Sequence, residues 1–407
     1  MTGAVSRRAF VTGAMATGAL GAGAGLVGCT AQGADASPRF LPFFGRHQPG
    51  ITALPVPKLG LMAAFAVQSR DRAELARMLE ALTDEARALM SGDPPVRRDP
   101  AYPPVDSGLL GAEPPADDLS VVVSVGASLF DDRFGLADRR PTELVTMQFL
   151  ANDRLDPARS HGDLLLSLEA GHADTLQFAL RQLMRRTRGD LVLRWLTDGY
   201  SRGAGDAGGG TARNLLGFKD GTANLDPADD GLLDRHTWVA AGDPEPAWTT
   251  GGSYHVVRLI RMLVEFWDRT PLAEQEALIG RHKDTGAPLG RGTETDLPDF
   301  GGDPQGEITP LTAHIRLANP RTPETRQNLI FRRGFSFARG FDAAGRLDQG
   351  LAFVCYQRSL ARGFLAVQER LTGEPLEEYI RPEGGGFFFA LPGVPSPDRF
   401  LGDALLG

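Results

Sequence analysis

Apolar and polar residues alternate in blocks along the first half of the chain, and these blocks predict six elements. Short apolar runs typical of buried strands lie at residues 61–67, 119–125, 163–168 and 191–195. Two longer segments, 72–90 and 172–186, place apolar residues three and four positions apart, which predicts amphipathic helices. The predicted order is therefore strand, helix, strand, strand, helix, strand.

A similar order recurs in the second half of the chain. Residues 253–262 alternate as a strand does, and Thr270 followed by Pro271 predicts the start of a helix that runs to Leu278. The other predicted elements are two short segments at 314–317 and 329–332, a strand at 351–356, a helix at 360–371 and a strand at 386–390. This recurrence predicts an α+β protein of two ferredoxin-like domains, each an antiparallel sheet with flanking helices.

The first residues have the features of an export signal. Arg7 and Arg8 form a twin-arginine pair, and the glycine-rich stretch after them is too polar for a good membrane span. Residues 26–29 resemble a lipobox that would place a lipid on Cys29, whereas Ala34-Asp35-Ala36 fits ordinary cleavage, and both alternatives stay open. The sequence predicts a protein that is extracellular, periplasmic or lipid-anchored at the outer face of the cell membrane.

The predicted elements and the signal divide the chain into four parts. Residues 1–36 are the signal peptide and residues 37–58 are irregular. The first domain is predicted at 59–228 and ends in the string Gly217-Phe-Lys-Asp-Gly-Thr-Ala-Asn224. The second domain is predicted at 229–407.

Composition excludes several classes of protein. The 407 residues are 42% hydrophobic and 23% charged, which excludes a disordered chain. The formal net charge is −8 and no basic run is present, so a nucleic-acid partner is not expected. The two cysteines exclude a disulfide-stapled fold, and Cys355 lies in an apolar run that predicts a buried, inert thiol.

Three segments carry the candidate chemistry. Asp220 lies in the string at 217–224, His314 precedes Ile-Arg-Leu-Ala, and Arg332 is the first of two adjacent arginines. An isolated Asp-Gly pair indicates only a turn, but the longer string around Asp220 is far more specific. The spacing favours Arg332 over Arg333 as the functional arginine, and Arg333 is expected to pair with an acid on the surface.

Together with residues 251–254 and 279–288, these segments resemble the dye-decolourising peroxidases, a family of haem enzymes that includes members exported through the twin-arginine pathway. The resemblance implies a pair of ferredoxin-like domains with one haem b held mainly by the C-terminal domain. It also implies an enzyme that reduces hydrogen peroxide through an oxoferryl intermediate. Dyes, phenolic compounds, or other organic or metal reductants would supply the electrons.

The resemblance also implies roles for individual residues. His314 falls on the axial iron ligand, Asp220 on the distal proton shuttle and Arg332 on the distal arginine. Residues expected near the haem edge and propionates are Gly221, Thr222, Ala223, Asn319, Pro320 and Arg321. Some members carry asparagine two positions after the distal arginine, where this chain has Gly334.

Several alternatives stay open at this stage. The same haem site would serve a haem- or iron-handling protein of the cell envelope that releases iron from haem, as a deferrochelatase does. The sequence does not settle whether the chain forms a homo-oligomer or which Trp or Tyr, if any, relays electrons to bulky substrates. The six other histidines are expected in loops or at the surface: His47, His161, His172, His236, His255 and His282.

Overall fold

The computed structural model of the protein describes residues 38–94, 96, 98–202 and 210–407. The predicted signal peptide at residues 1–36, with Cys29, lies outside the described residues. Across the described ranges, no helix is both long enough and apolar enough to span a membrane.

The first half of the chain contains the six elements that the hydrophobic pattern predicts. They are β1 (Leu59–Val67), α1 (Arg72–Ser91), β2 (Ser120–Gly126), β3 (Leu164–Ala170), α2 (Ala173–Arg186) and β4 (Leu191–Tyr200). Helix α1 begins where the Asp71 side chain accepts a hydrogen bond from the Glu74 amide, and it ends at Gly92, whose φ of 68° suits glycine. Local signals therefore set the ends of this helix, and its apolar stripe sets the face that it buries.

The second half contains more elements than the sequence predicts. They are α3 (Asp230–His236), β5 (Ser253–Met262), α4 (Val264–Trp267), α5 (Leu272–Ile279), α6 (His314–Ala318), β6 (Phe331–Arg332), β7 (Phe335–Phe341), β8 (Leu347–Gln357), α7 (Ala366–Leu371), β9 (Ile380–Ala390) and α8 (Asp403–Leu406). Strand β7 was not predicted. The cap of α5 is Pro271 rather than Thr270. The helix predicted at 360–371 begins with a π-helical segment, Ala361–Leu365, which is kinked at Gly363, where the dihedral angles are non-helical.

The strand order confirms the predicted α+β class. The first half forms an antiparallel sheet in the order β2-β3-β1-β4, and the second half repeats that arrangement as β9-β5-β8-β7. The edge strands of one sheet pair with those of the other, β2 with β9 and β4 with β7, so that the eight strands close into a barrel. Residues Ala36–Gly407 consequently form one compact unit rather than two separate globules.

Two hydrophobic clusters lie on the two faces of these strands, because side chains alternate along each strand. One cluster packs α1 and α2 on the outer face of the first sheet, with Leu61 and Leu166 among its members. The other takes residues from all nine strands, among them Met62, Val122 and Phe388, and fills the barrel interior. Strand β6 follows the same alternation, so Arg332 and the next residue, Arg333, point to opposite faces.

The barrel interior also holds polar side chains. The expectation that His255 lies in a loop or at the surface is wrong, because this residue of β5 is fully buried, with its Nδ1 2.9 Å from Ser124 Oγ. Its ring stacks on Tyr356 at 4.3 Å between centroids, and burial lowers the pKa of His255 to about 3. Cys355 is buried as predicted, and burial raises the pKa of its thiol.

Candidate active site

Asp220 and Arg332 form an ion pair between a loop and strand β6. Arg332 Nη1 donates to Asp220 Oδ1 at 2.6 Å, and the two side chains are 30% and 28% exposed, respectively. Among the described residues, the hydrogen-bond partner of the second carboxylate oxygen, Oδ2, is Asn214 Nδ2, at a long distance of 3.5 Å. One oxygen of Asp220 is therefore bound to a fixed cation, and the other is free to exchange a proton.

The backbone around this pair is tied together within the same loop. The Asp220 amide donates to the Ala212 carbonyl at 2.8 Å, which closes a hairpin. Asn224 makes a reciprocal pair of hydrogen bonds with the Arg332 backbone: its Nδ2 donates to the Arg332 carbonyl and its Oδ1 accepts from the Arg332 amide, both at 2.8 Å. The loop that carries Asp220 therefore also fixes the strand that carries Arg332.

The alternation of β6 sends the two adjacent arginines to opposite faces. Phe331 belongs to the barrel interior, and Arg333 also lies inside, where its Nε donates to both carboxylate oxygens of Glu169 at 2.7 Å. Arg332 points to the other face, toward Asp220. The expectation that Arg333 pairs with an acid on the surface is therefore wrong, because its carboxylate partner is buried.

His314 is the first residue of α6, and Glu374 holds its ring. The Nδ1 atom lies 2.8 Å from Glu374 Oε2, and 35% of the His314 side chain is accessible. Because the carboxylate accepts a hydrogen from Nδ1, Nε2 is left as the nitrogen that can bind a metal. Sequence analysis missed Glu374, which lies sixty residues away in the chain and carries no local motif.

The position of α6 is set by contacts of two neighbouring residues, Ile315 and Arg316. Gly280, which ends α5 with a φ of 92°, has no side chain to collide with Ile315, so the two helices pack closely. Arg316 pairs with Asp303, whose carboxylate also accepts from the Thr309 amide and so shapes the segment before His314. These contacts fix the backbone of α6 and therefore the position of the His314 imidazole.

The charges of the site act on the His314 ring. Burial lowers the pKa of His314, whereas the charge and hydrogen bond of Glu374 raise it, and the resulting pKa lies above the ordinary value. Asp220 raises this pKa further and Arg332 lowers it. The three residues singled out from the sequence therefore share one electrostatic environment.

The remaining predicted residues lie on two segments of the same region. Gly221 and Thr222 are half-buried and Ala223 is exposed, while Asn319, Pro320 and Arg321 are half-buried after the end of α6. Asn319 Oδ1 accepts from the Arg321 amide at 3.2 Å, and Arg321 has a φ of 61°. Burial lowers the pKa of the Arg321 guanidinium.

A further cation near these segments was missed from the sequence. Arg281 is buried, and its Nη1 donates to the backbone carbonyls of Gly286 and Glu294. Burial and the positive charge of Arg321 lower the pKa of Arg281. The guanidiniums of Arg281 and Arg321 thus repel each other in a partly buried setting, an arrangement that an anionic group would stabilise.

Comparison with known proteins identifies the family. Residues 48–201 match the model of the Dyp-type peroxidase N-terminal domain, and residues 211–395 match the model of its C-terminal domain. The chain belongs to the Dyp-type peroxidase family. The C-terminal model includes the Asp220 segment, and the boundary predicted between 228 and 229 stays a prediction.

Relatives and solved structures agree with this membership. The chain is 49% identical over 375 residues to the deferrochelatase of Escherichia coli strain K12, covering 91% of this chain and 88% of that protein. Ferric DtpA from Streptomyces lividans matches with a TM-score of 0.81 at 37% identity, covering 91% of this chain and 97% of that one. A DyP-type peroxidase from Streptomyces coelicolor matches with a TM-score of 0.81 at 38% identity, covering 91% of this chain and 98% of that one.

The protein is therefore a haem-dependent peroxidase, and its residues fit that cofactor. His314 would hold the haem iron through Nε2, since Nδ1 is engaged by Glu374. The partly buried guanidiniums of Arg281 and Arg321 suit the two negative charges of haem propionates. The roles of the individual residues stay predictions, which the experiments below test.

Proposed function

We propose that this peroxidase works outside the cytoplasm, where it reduces hydrogen peroxide and oxidises dyes, phenolic compounds, or other organic or metal reductants. The observation that carries the proposal is the ion pair of Asp220 with Arg332 in the same electrostatic environment as the His314–Glu374 pair. When bound, haem b supplies an iron centre that takes up peroxide and holds the two oxidising equivalents.

Asp220 is the proposed proton carrier. Peroxide must lose a proton from one oxygen, and the other oxygen must gain a proton to leave as water. The Oδ2 atom, which Arg332 does not bind, can accept the first proton and return it to the departing oxygen. Such a positioned base is typically worth roughly 10²–10⁴-fold in rate.

Arg332 supports the same reaction with a fixed charge. Its guanidinium carries a delocalised positive charge that can stabilise negative charge on the departing oxygen. The bond from Arg332 to Oδ1 also holds the carboxylate in one orientation, and Asn224 holds the Arg332 backbone in turn. Arg332 is therefore proposed to act both on peroxide and on Asp220.

A second candidate function is release of iron from haem. It is favoured by the relatives at 49% identity, which bear the name deferrochelatase. In that case His314 would hold haem as before, and peroxidase turnover would be a secondary activity. Both candidates use the same residues, so activity measurements are needed to separate them.

The experiment that separates them follows two products of the haem-loaded protein. We expect peroxide-dependent loss of dye absorbance and no porphyrin fluorescence when the protein is incubated with haem and a reductant. Asp220→Asn is the matched control, because it should slow dye turnover while haem stays bound. Release of iron-free porphyrin without dye turnover in the unmodified protein would favour the second candidate instead.

We further propose that the protein is exported through the twin-arginine pathway. The proposal rests on Arg7 and Arg8 and on the stretch that follows them, with either lipidation at Cys29 or cleavage after Ala36. In this proposal a lipid on Cys29 would attach the mature protein to the membrane.

Replacement of Arg7 and Arg8 together by lysine should keep the precursor in the cytoplasm, because the export receptor recognises the arginine pair. Cell fractionation measures this result, with Arg39→Lys as a control beyond the signal. Mass spectrometry of the mature protein should find an N-terminus at a lipid-bearing Cys29 or at Ser37. Undiminished export of the double-lysine precursor would contradict the assignment.

A further inference from the structure

Glu294 lies between α5 and α6 and binds three donors from the Asp220 loop. Its Oε1 accepts from the hydroxyls of Thr211 and Thr222, the latter at 2.8 Å, and its Oε2 accepts from Lys219 Nζ. The side chain is 17% exposed, so these bonds form largely away from bulk water. One carboxylate thus joins three positions of a loop that is distant in sequence.

The three donors surround Asp220 along the chain. Lys219 precedes it directly and Thr222 follows two positions later. Thr211 precedes Ala212, whose carbonyl accepts the hydrogen bond from the Asp220 amide at 2.8 Å. Both arms of the hairpin that presents Asp220 are therefore fastened to the same carboxylate.

Glu294 is itself well supported as an anchor. Arg281 Nη1 donates to the Glu294 backbone carbonyl at 3.0 Å. Burial raises the pKa of Glu294, but the hydrogen bonds from Lys219, Thr211 and Thr222 lower it more, so its pKa lies below the usual range. Hydrogen bonds that involve an ionised group are about twice as strong as neutral ones, so the charge strengthens the anchor.

The side chain of Asp220 depends on such backbone support. Within the part of the chain that the structure describes, its side chain bonds to Arg332 and makes a long contact with Asn214. Among the described residues, Glu294 makes no hydrogen bond with the Asp220 carboxylate; its bonds go to Thr211, Lys219 and Thr222 instead. Its influence on a proton transfer at Oδ2 would therefore pass through the shape of the loop.

We propose that Glu294 is a positioning residue for peroxide reduction, which holds the hairpin so that the Asp220 carboxylate meets the substrate in one geometry. The proposal rests on the role proposed above for Asp220. Displacement of a reacting group by about 1 Å can cost roughly 10²-fold in rate, so loss of this anchor should be measurable.

The experiment compares Glu294→Gln with Asp296→Asn in the haem-loaded enzyme. Asp296 is a control from the same segment, because its carboxylate accepts from the amides of Gly292 and Thr293. In Glu294→Gln, kcat/KM for hydrogen peroxide should fall by about tenfold or more, whereas kcat/KM for the dye and the Soret band should stay unchanged. Lys219→Met, which removes one donor and leaves Glu294 in place, should give the same selective loss.

A second measurement follows the loop directly. Hydrogen–deuterium exchange in the peptide that contains residues 211–224 should become about tenfold faster in Glu294→Gln and stay at the parental rate in Asp296→Asn. An equal fall of both kcat/KM values would indicate loss of folded enzyme and overturn the positioning role. Unchanged exchange together with an unchanged peroxide reaction would overturn it as well.

Asp220→Asn separates this inference from the function on which it rests. If Asp220→Asn slows the peroxide reaction and Glu294→Gln adds no further loss in the double variant, Glu294 acts through Asp220. If Asp220→Asn slows the reaction while Glu294→Gln alone has no effect, only the positioning role fails. If Asp220→Asn reacts at the parental rate, the proposed role of Asp220 fails and this inference fails with it.

Discussion

Replacement of His314 by alanine should remove most of the bound haem from the protein. The Nε2 atom of His314 is the proposed axial ligand, and the Glu374 carboxylate orients the ring for that bond. Alanine removes the ligand and leaves Glu374 without its partner. Haem content per protein, measured from the Soret absorbance and from iron analysis, should fall to a small fraction of the parental value.

Two further variants make this result specific. Glu374→Gln keeps the ligand but weakens its orientation, and loss of such a supporting carboxylate typically costs 10–100-fold in metal affinity. His282→Ala is a matched control, because His282 also pairs with a glutamate, Glu276, but belongs to another segment. Added imidazole should partly restore haem binding in His314→Ala. Full haem content with an unchanged Soret band in that variant would show that another residue binds the iron.

The fold could be predicted largely because side-chain alternation and helical spacing are local properties. Strands β1 and β5 and helix α1 lie within a few residues of their predicted limits. Strand β7 was missed because its buried start, Phe335–Phe337, is followed by exposed Ala338, Gly340 and Phe341, so the strand does not alternate regularly. The closure of the two sheets into one barrel depends on pairing between edge strands, and no short stretch of sequence specifies that pairing.

Some residues of the candidate site could be predicted from the sequence and others could not. Asp220, His314 and Arg332 could be found because each lies in a short motif, and the structure places them in one environment. Glu374 and Glu294 could not be found, since each acts on a residue more than fifty positions away. Their importance comes from the tertiary contacts that they make.

The burial of polar residues was the least predictable property. His255 and Arg333 look like ordinary surface residues in sequence, but His255 lies at an inward position of β5 and Arg333, directly after β6, also points into the barrel. Each is tolerated there because a partner accompanies it, Ser124 for His255 and Glu169 for Arg333. These partners come from strands of the other sheet, so only the closed barrel provides them.

Replacement of Asp220 by asparagine should slow the reaction with peroxide by roughly 10²-fold or more, within the usual range for general base catalysis. Asparagine keeps the shape and can accept a hydrogen bond from Arg332, but it cannot take up the proton. Stopped-flow mixing with peroxide measures this rate in the parent and in Asp220→Asn.

Arg332→Leu is the comparison that shows whether Asp220 or Arg332 is needed for proton transfer in the reaction with peroxide. It removes the fixed positive charge and the bond to Oδ1, so oxygen departure should slow although the carboxylate of Asp220 is kept. Arg332→Lys keeps a positive charge and should retain more activity than leucine, although it loses the planar guanidinium. Because the two residues are in direct contact, the effects of Asp220→Asn and Arg332→Leu should not add in the double variant.

The neighbourhood of this pair limits which other group could replace Asp220. Gly334, where some members of the family carry asparagine, has no polar side chain, and a Cβ there would lie 3.0 Å from the Ala352 carbonyl. Asn224 is engaged on both sides by the Arg332 backbone, so its amide is not free to relay a proton. If Asp220→Asn reacts as fast as the parent while Arg332→Leu does not, the proton is carried by water, and Asp220 serves to hold the arginine.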